Sequence, residues 1–222
     1  MTEPELRFTF NLSQCYLEVA RGVFVGFHHP AGNDFISKHR HNPLANATIA
    51  VLSVTIIYSY LALEAFVNYR LFRLWERRHD GSSEAGRFLS LLGDPAAFEE
   101  LRRHSKVRDL GSRFKTLCEL RGYAKPHEND PTLWQEFKEL VELSRHFLVH
   151  PNPGADSFQG HLTRIGLETV SGRYAQVAQR LMTFYYQQSG HTPPPWVMQN
   201  TLLRFRGIDV LADSGGLQWP SV

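Results

Sequence analysis

The sequence predicts an all-α protein, an up-and-down bundle of helices followed by an irregular tail. Three observations carry that expectation. Apolar residues recur at helical spacing through several long stretches, Asp-Pro pairs and glycines punctuate those stretches, and no repeat or long linker divides the chain. A hydrophobic content of 42% with 12% aromatics over 222 residues supplies a packed core and excludes wholesale disorder.

The first stretch is ambiguous. Phe8, Phe10 and Leu12 alternate like a strand, whereas residues 15–25 suit a helix. Residues 26–43, rich in Gly, His, Asn and Pro, read as a loop. The longest helix is expected over 44–78, with a basic last turn and Gly81 as its stop. Asp94-Pro95 opens a shorter helix within 90–104, another runs over 108–121 to Gly122, and Asp130-Pro131 opens one that continues to 149. His150-Pro151 breaks that helix, a loop follows, and the last strong helix covers 172–188. The resulting division is an N-terminal segment (1–43) packing on or preceding the bundle, a helical domain (44–189) and a Pro/Gly-rich tail (190–222).

The net charge of +2 conceals a bias in kind, because 19 arginines stand against 5 lysines and 22 acids. That balance does not announce a nucleic-acid binder, but arginine is the side chain that grips phosphate bidentately. Cys15 and Cys118 form neither a disulfide scaffold nor a cysteine zinc site. Together with an N-terminus lacking the basic-then-apolar order of a signal peptide, they place the chain in a reducing, cytoplasmic setting. Residues 42–63 carry no formal charge, long enough to raise a membrane span. Asn42, Asn46, Thr48, Ser53, Thr55 and Ser59 interrupt the window, so a buried core helix is expected and no membrane. No phosphate-binding glycine loop, nucleophile elbow or paired-carboxylate motif is present. His28-His29 and His39-Arg40-His41 lack a completing ligand, so neither cofactor nor metal is expected.

On a helical wheel over 131–149, Leu133, Trp134, Phe137, Leu140, Val141, Ser144, Phe147 and Leu148 form the core stripe. Arg145 lies at its edge, with His146 and His150 on the polar side. The plain reading is a solvated face. The functional one starts from Pro151, which disfavours helical geometry at His150 and leaves that imidazole able to swing toward Arg145. The partial negative charge of a helix C-terminus favours its protonated form. Glu64 falls among Ile56, Ile57, Tyr60, Val67, Leu71 and Trp75, where a carboxylate is costly unless paired. Its partner is expected to be a backbone group, a tyrosine hydroxyl or Arg145. Arg70, Arg73, Arg77 and Arg78 form one basic group, and Arg102, Arg103, Lys106 and Arg108 another. Each reads as a solvated face or as an RNA-backbone track.

The run from Ser144 to Pro151, with Arg145, a polar His146 and then His150, resembles the R-x4-6-H motif of the HEPN superfamily. Upstream, YLALEAFVN at 60–68 is similar to the early helix of many HEPN domains, and the two matches span about 44–188. The bare spacing also occurs at Arg21/His28, Arg73/His79 and Arg121/His127. Only Arg145/His150 adds the late helical position, the polar neighbour and the helix-ending break. The resemblance implies an up-and-down bundle and a metal-independent endoribonuclease whose site forms where two copies meet in a homodimer, in some members a toxin or antiphage effector. It assigns His150 to acid–base work, Arg145 to the phosphate, His146 to orientation and Glu64 to positioning Arg145. RNA and antitoxin proteins are the partners it suggests, and Arg70, Arg73, Arg77, Arg102 and Arg103 of the basic groups are the candidates to follow an RNA backbone. One departure is Asn152, where a subset of toxins carries a modifiable tyrosine. The alternative is a non-catalytic helical module that binds RNA, a nucleotide or a protein.

Overall fold

The computed structural model describes residues 12–28, 44–93, 96–148, 160–161, 173–198, 204–205 and 208–209. The architecture is all-α. Helix α1 (Leu12–His28) packs along α2 (Leu44–Glu76), which passes through a 3-10 turn at Arg77–His79. Then come α3 (Ser83–Leu92), the short α4 (Phe98–Leu101), α5 (Leu110–Arg121), the short α6 (Pro126–Asn129) and α7 (Pro131–Val141). Helix α7 continues as a π-helix over Glu142–Leu148. Helix α8 (Arg173–Gln188) and the short α9 (Pro195–Met198) follow, and the tail adds one antiparallel pair, Arg204–Phe205 with Ile208–Asp209.

The ambiguous first stretch resolves as helix from Leu12, while Phe8 and Phe10 lie outside the described residues. Its buried positions Ser13, Leu17, Ala20 and Phe24 repeat at four, three and four residues, the spacing of one helical face. Helix α2 is the axis of the bundle and touches α1, α5, the α7–π element and α8. One face buries Ile56, Tyr60, Leu63, Val67, Leu71 and Leu74, and a second buries Thr55, Ser59, Ala62 and Phe66. A helix apolar on two faces belongs inside a bundle. No helix among the described residues is long and apolar enough to cross a membrane.

Local signals set the ends. The Asp130 side chain accepts from the Leu133 amide at 2.8 Å, with Pro131 in the first turn. Gly122, at φ 69°, lets the Tyr123 amide reach the Cys118 carbonyl at 2.9 Å and close α5. Helix α3 is not anticipated by the sequence reading. Ser82 caps it by accepting from Ala85 N at 3.1 Å, and Ala85, Phe88 and Leu92 face inward. The shorter helix after Asp94-Pro95 is only Phe98–Leu101.

Two polar devices fix the packing of distant elements. Arg21, fully buried, donates to the carbonyls of Trp196 at 2.9 Å and Val197 at 2.6 Å, tying α9 to α1. Burial lowers the guanidinium's pKa to about 10, partly opposed by Glu18, and it stays charged at neutral pH. Along the α7–α8 seam, Glu136 sits between Arg173 at 3.3 Å and Arg180 at 2.8 Å. Glu139 and Asp130 extend the ladder at 3.2 Å and 3.5 Å.

Candidate functional site

Glu64 pairs with a buried donor, Arg113 on α5, and with a tyrosine hydroxyl; of the partners the sequence offered, Arg145 is not the one that holds it. The Arg113 Nη2 donates to Glu64 Oε1 at 2.7 Å, and its Nη1 donates to Asn68 Oδ1 one turn along α2. The Arg113 side chain is 4% exposed and that of Glu64 23%. Two partly desolvated charges are tolerable there because each supplies the other's counter-ion. Tyr60 makes a longer contact of 3.4 Å to the same carboxylate oxygen. Burial and then the Glu64 charge raise the Tyr60 hydroxyl's pKa above its ordinary value, while Arg113 and Arg145 pull it back. Tyr60 therefore remains a neutral donor at physiological pH.

Around this pair lies a pocket of about 290 Å³, lined by Ile57, Tyr60, Leu61, Glu64, Arg102, Arg108, Arg113, Ser144 and Arg145. Arg145 is exposed and presented by the π-helix, in which the Ser144 hydroxyl donates to the Leu140 carbonyl at 2.7 Å. The i→i+5 pattern inserts an extra residue into the turn, a distortion found often at functional sites. The helix opened by Asp130-Pro131 thus runs on to Leu148 in π form, and residue 149 lies outside the described residues. Leu143, outside the predicted stripe, is fully buried here.

Four guanidinium groups thus converge on a space containing one carboxylate. Arg113 is committed to Glu64 and Asn68, and Arg102 makes an exposed pair with Glu99 at 3.5 Å, an arrangement of little strength. Among the described residues Arg108 and Arg145 have no hydrogen-bond or ion-pair partner. Such a pocket suits an anion that accepts several charge-assisted hydrogen bonds, as a phosphodiester does.

The other arginines with a histidine at the same spacing are engaged in the fold. Arg21 holds α9, Arg73 pairs with Glu76, and Arg121 pairs with Glu84 across α5 and α3. The candidate RNA-backbone arginines have different surroundings. Arg102 joins the pocket, Arg103 is exposed outside it, and Arg77 pairs with Asp80 at 3.6 Å. Arg70 is half-buried, its Nη2 donating to the Tyr186 hydroxyl at 2.7 Å and its guanidinium within 5.2–5.4 Å of the Phe66, Tyr185 and Tyr186 ring centres. The side chain of His146, and all of His150, Pro151 and Asn152, lie outside the described residues. The sequence reading missed Arg113. Its signal was there: Arg113 shares a helical face with the core residues Leu110, Phe114 and Leu117, a charge in an apolar stripe like Glu64.

Among the described residues no group of three His, Cys, Asp or Glu is arranged to hold a metal ion. Burial raises the Cys118 thiol's pKa to about 12, against a small opposing effect of Lys125, and leaves it inert at neutral pH. No family model matches the chain, and no curated protein or solved structure matches it.

Proposed function

We propose that this protein is a metal-independent endoribonuclease that holds an RNA phosphodiester in the arginine pocket. The carrying observation is the convergence of Arg108 and Arg145, without carboxylate partners among the described residues, beside Arg102 and Arg113. Arg145, Arg108 and Arg102 contact the phosphate. Arg113, fixed by Glu64 and Asn68, forms part of the pocket wall. The RNA's own 2′-hydroxyl attacks the neighbouring phosphorus, and the bond to the 5′-oxygen breaks. The guanidinium groups stabilise the charge of the pentacoordinate transition state. His150, five residues after Arg145, exchanges the protons, since imidazole titrates near neutrality. His146 orients it. The Tyr60 hydroxyl is a neutral donor on the same wall.

Assembly as a homodimer through the face bearing Arg145 supplies two such sets to one RNA, in a cytoplasmic setting. A role as a toxin or antiphage effector, restrained by a partner protein, is compatible with that chemistry. The assay is end-group analysis of a mixed RNA pool incubated with the full chain in EDTA. Products ending in a 2′,3′-cyclic phosphate or 3′-phosphate, with free 5′-hydroxyls, are expected. His150→Ala should slow their formation about 10²–10⁴-fold. Cleavage that disappears in chelator would overturn the mechanism. RNA binding without cleavage would leave a binding module instead.

A further inference from the structure

A second and larger cavity, about 800 Å³, opens on the same helix as the arginine pocket, and Leu61 and Glu64 line both. The two spaces are neighbours along α2, and the Arg113–Glu64–Asn68 bridge has residues in the lining of each. The character of the second differs. Its walls include Tyr16, Tyr69, Phe72, Phe98, Tyr186 and Trp196, with Arg70 as the one arginine among its described lining residues.

Most of these rings are already stacked against others. Tyr16 meets Tyr58 at 5.7 Å between ring centres, Phe72 meets Phe98 at 5.5 Å, and Tyr186 meets Phe66 at 5.8 Å. Tyr69, 48% exposed, and Trp196 have no aromatic partner among the described residues. Asn68 spends its carbonyl oxygen on Arg113, which leaves its amide hydrogens for an acceptor in the groove. Arg70 brings a further unmet need: its Nε is buried and has no hydrogen-bond partner among the described residues. Flat faces, an amide donor and a guanidinium bedded among rings are the means by which proteins hold nucleobases of single strands.

We propose that this groove is a nucleobase subsite, taking a base of the RNA strand whose phosphate lies in the arginine pocket, with Tyr69 and Trp196 as stacking faces. The inference rests on the RNA reading given above and adds to it a preference for single-stranded, unpaired substrate. Adjacency supports a nucleotide over a peptide, because a base is tethered to the phosphate that the neighbouring pocket is charged to receive. The groove has no carboxylate beyond Glu64 among its described lining residues, and that one is paired with Arg113.

The test is equilibrium binding of the full chain to a fluorescent 2′-O-methyl RNA octamer, which offers no attacking hydroxyl. A set of octamers carries one abasic sugar, moved position by position. One position should weaken binding about ten- to a hundred-fold, the effect of losing a stacked base. Tyr69→Ala, at an exposed site that should leave the melting temperature unchanged, should weaken intact RNA similarly and add nothing at that abasic position. Arg145→Ala should weaken intact and abasic RNA alike. If every abasic octamer binds as tightly as the intact one while Arg145→Ala weakens both, the subsite is refuted and the phosphate site stands. A stably folded protein that binds none of the octamers overturns both.

Discussion

Arg113 and Glu64 form a charged pair that is largely withdrawn from solvent on the Arg113 side. Glu64 sits against an apolar stripe of α2, and Arg113 among the core residues of α5. Each is expensive alone, and together they join the two helices and form a wall of the arginine pocket. Glu64→Ala leaves Arg113 with Asn68 alone and should cost about 1–3 kcal/mol. For a chain of this length each kcal/mol corresponds to about 2–4 °C of melting temperature. Glu64→Gln, which keeps an acceptor, should recover part of that loss. A thermal melt of both variants checks the order. Equal melting of wild type and Glu64→Ala would mean the pair contributes no net stability.

Helix α5 carries Arg113, and its cap therefore matters to the site. The Asp109 side chain accepts from the Ser112 amide at 2.8 Å and from its hydroxyl at 2.7 Å. Partial burial pushes this carboxyl upward, yet the hydrogen bonds from Ser112 and the amide of Gly111, with the charge of Arg113, hold it below the usual carboxylate range. A depressed folded pKa means stability that is present above the unfolded value near pH 4 and lost as pH falls through the folded one. Asp109→Ala should cost about 1 kcal/mol at pH 6. The gap from wild type should narrow in melts below pH 4, and a gap independent of pH would contradict the cap's ionised role. Such local chemistry explains what was legible in the sequence: Asp130-Pro131 and Gly122 mark their helix ends within a few residues. The π-helix was not legible, because i→i+5 bonding depends on how Leu143 and Ser144 pack rather than on residue type. The partner of Glu64 was hidden for another reason, since Arg113 lies 49 residues away and only tertiary packing brings them together.

At the scale of the molecule, a long central helix carries two spaces, one cationic and one aromatic, that share Leu61 and Glu64 as lining. Arg145 is exposed and lines the cationic space. Light scattering at micromolar concentration should report a dimer. A monomeric wild type would rule out the shared-site arrangement. The pocket's role in phosphate recognition is tested most directly by single-turnover RNA cleavage in EDTA, comparing Arg145→Ala with Lys138→Ala. Both remove one positive charge from an exposed position of the same helical element, but only Arg145 lines the pocket. Loss of transition-state stabilisation predicts a rate about 10²–10³-fold lower for Arg145→Ala and an unchanged rate for Lys138→Ala. Equal rates for the two variants would contradict the assignment of the arginine pocket to the scissile phosphate.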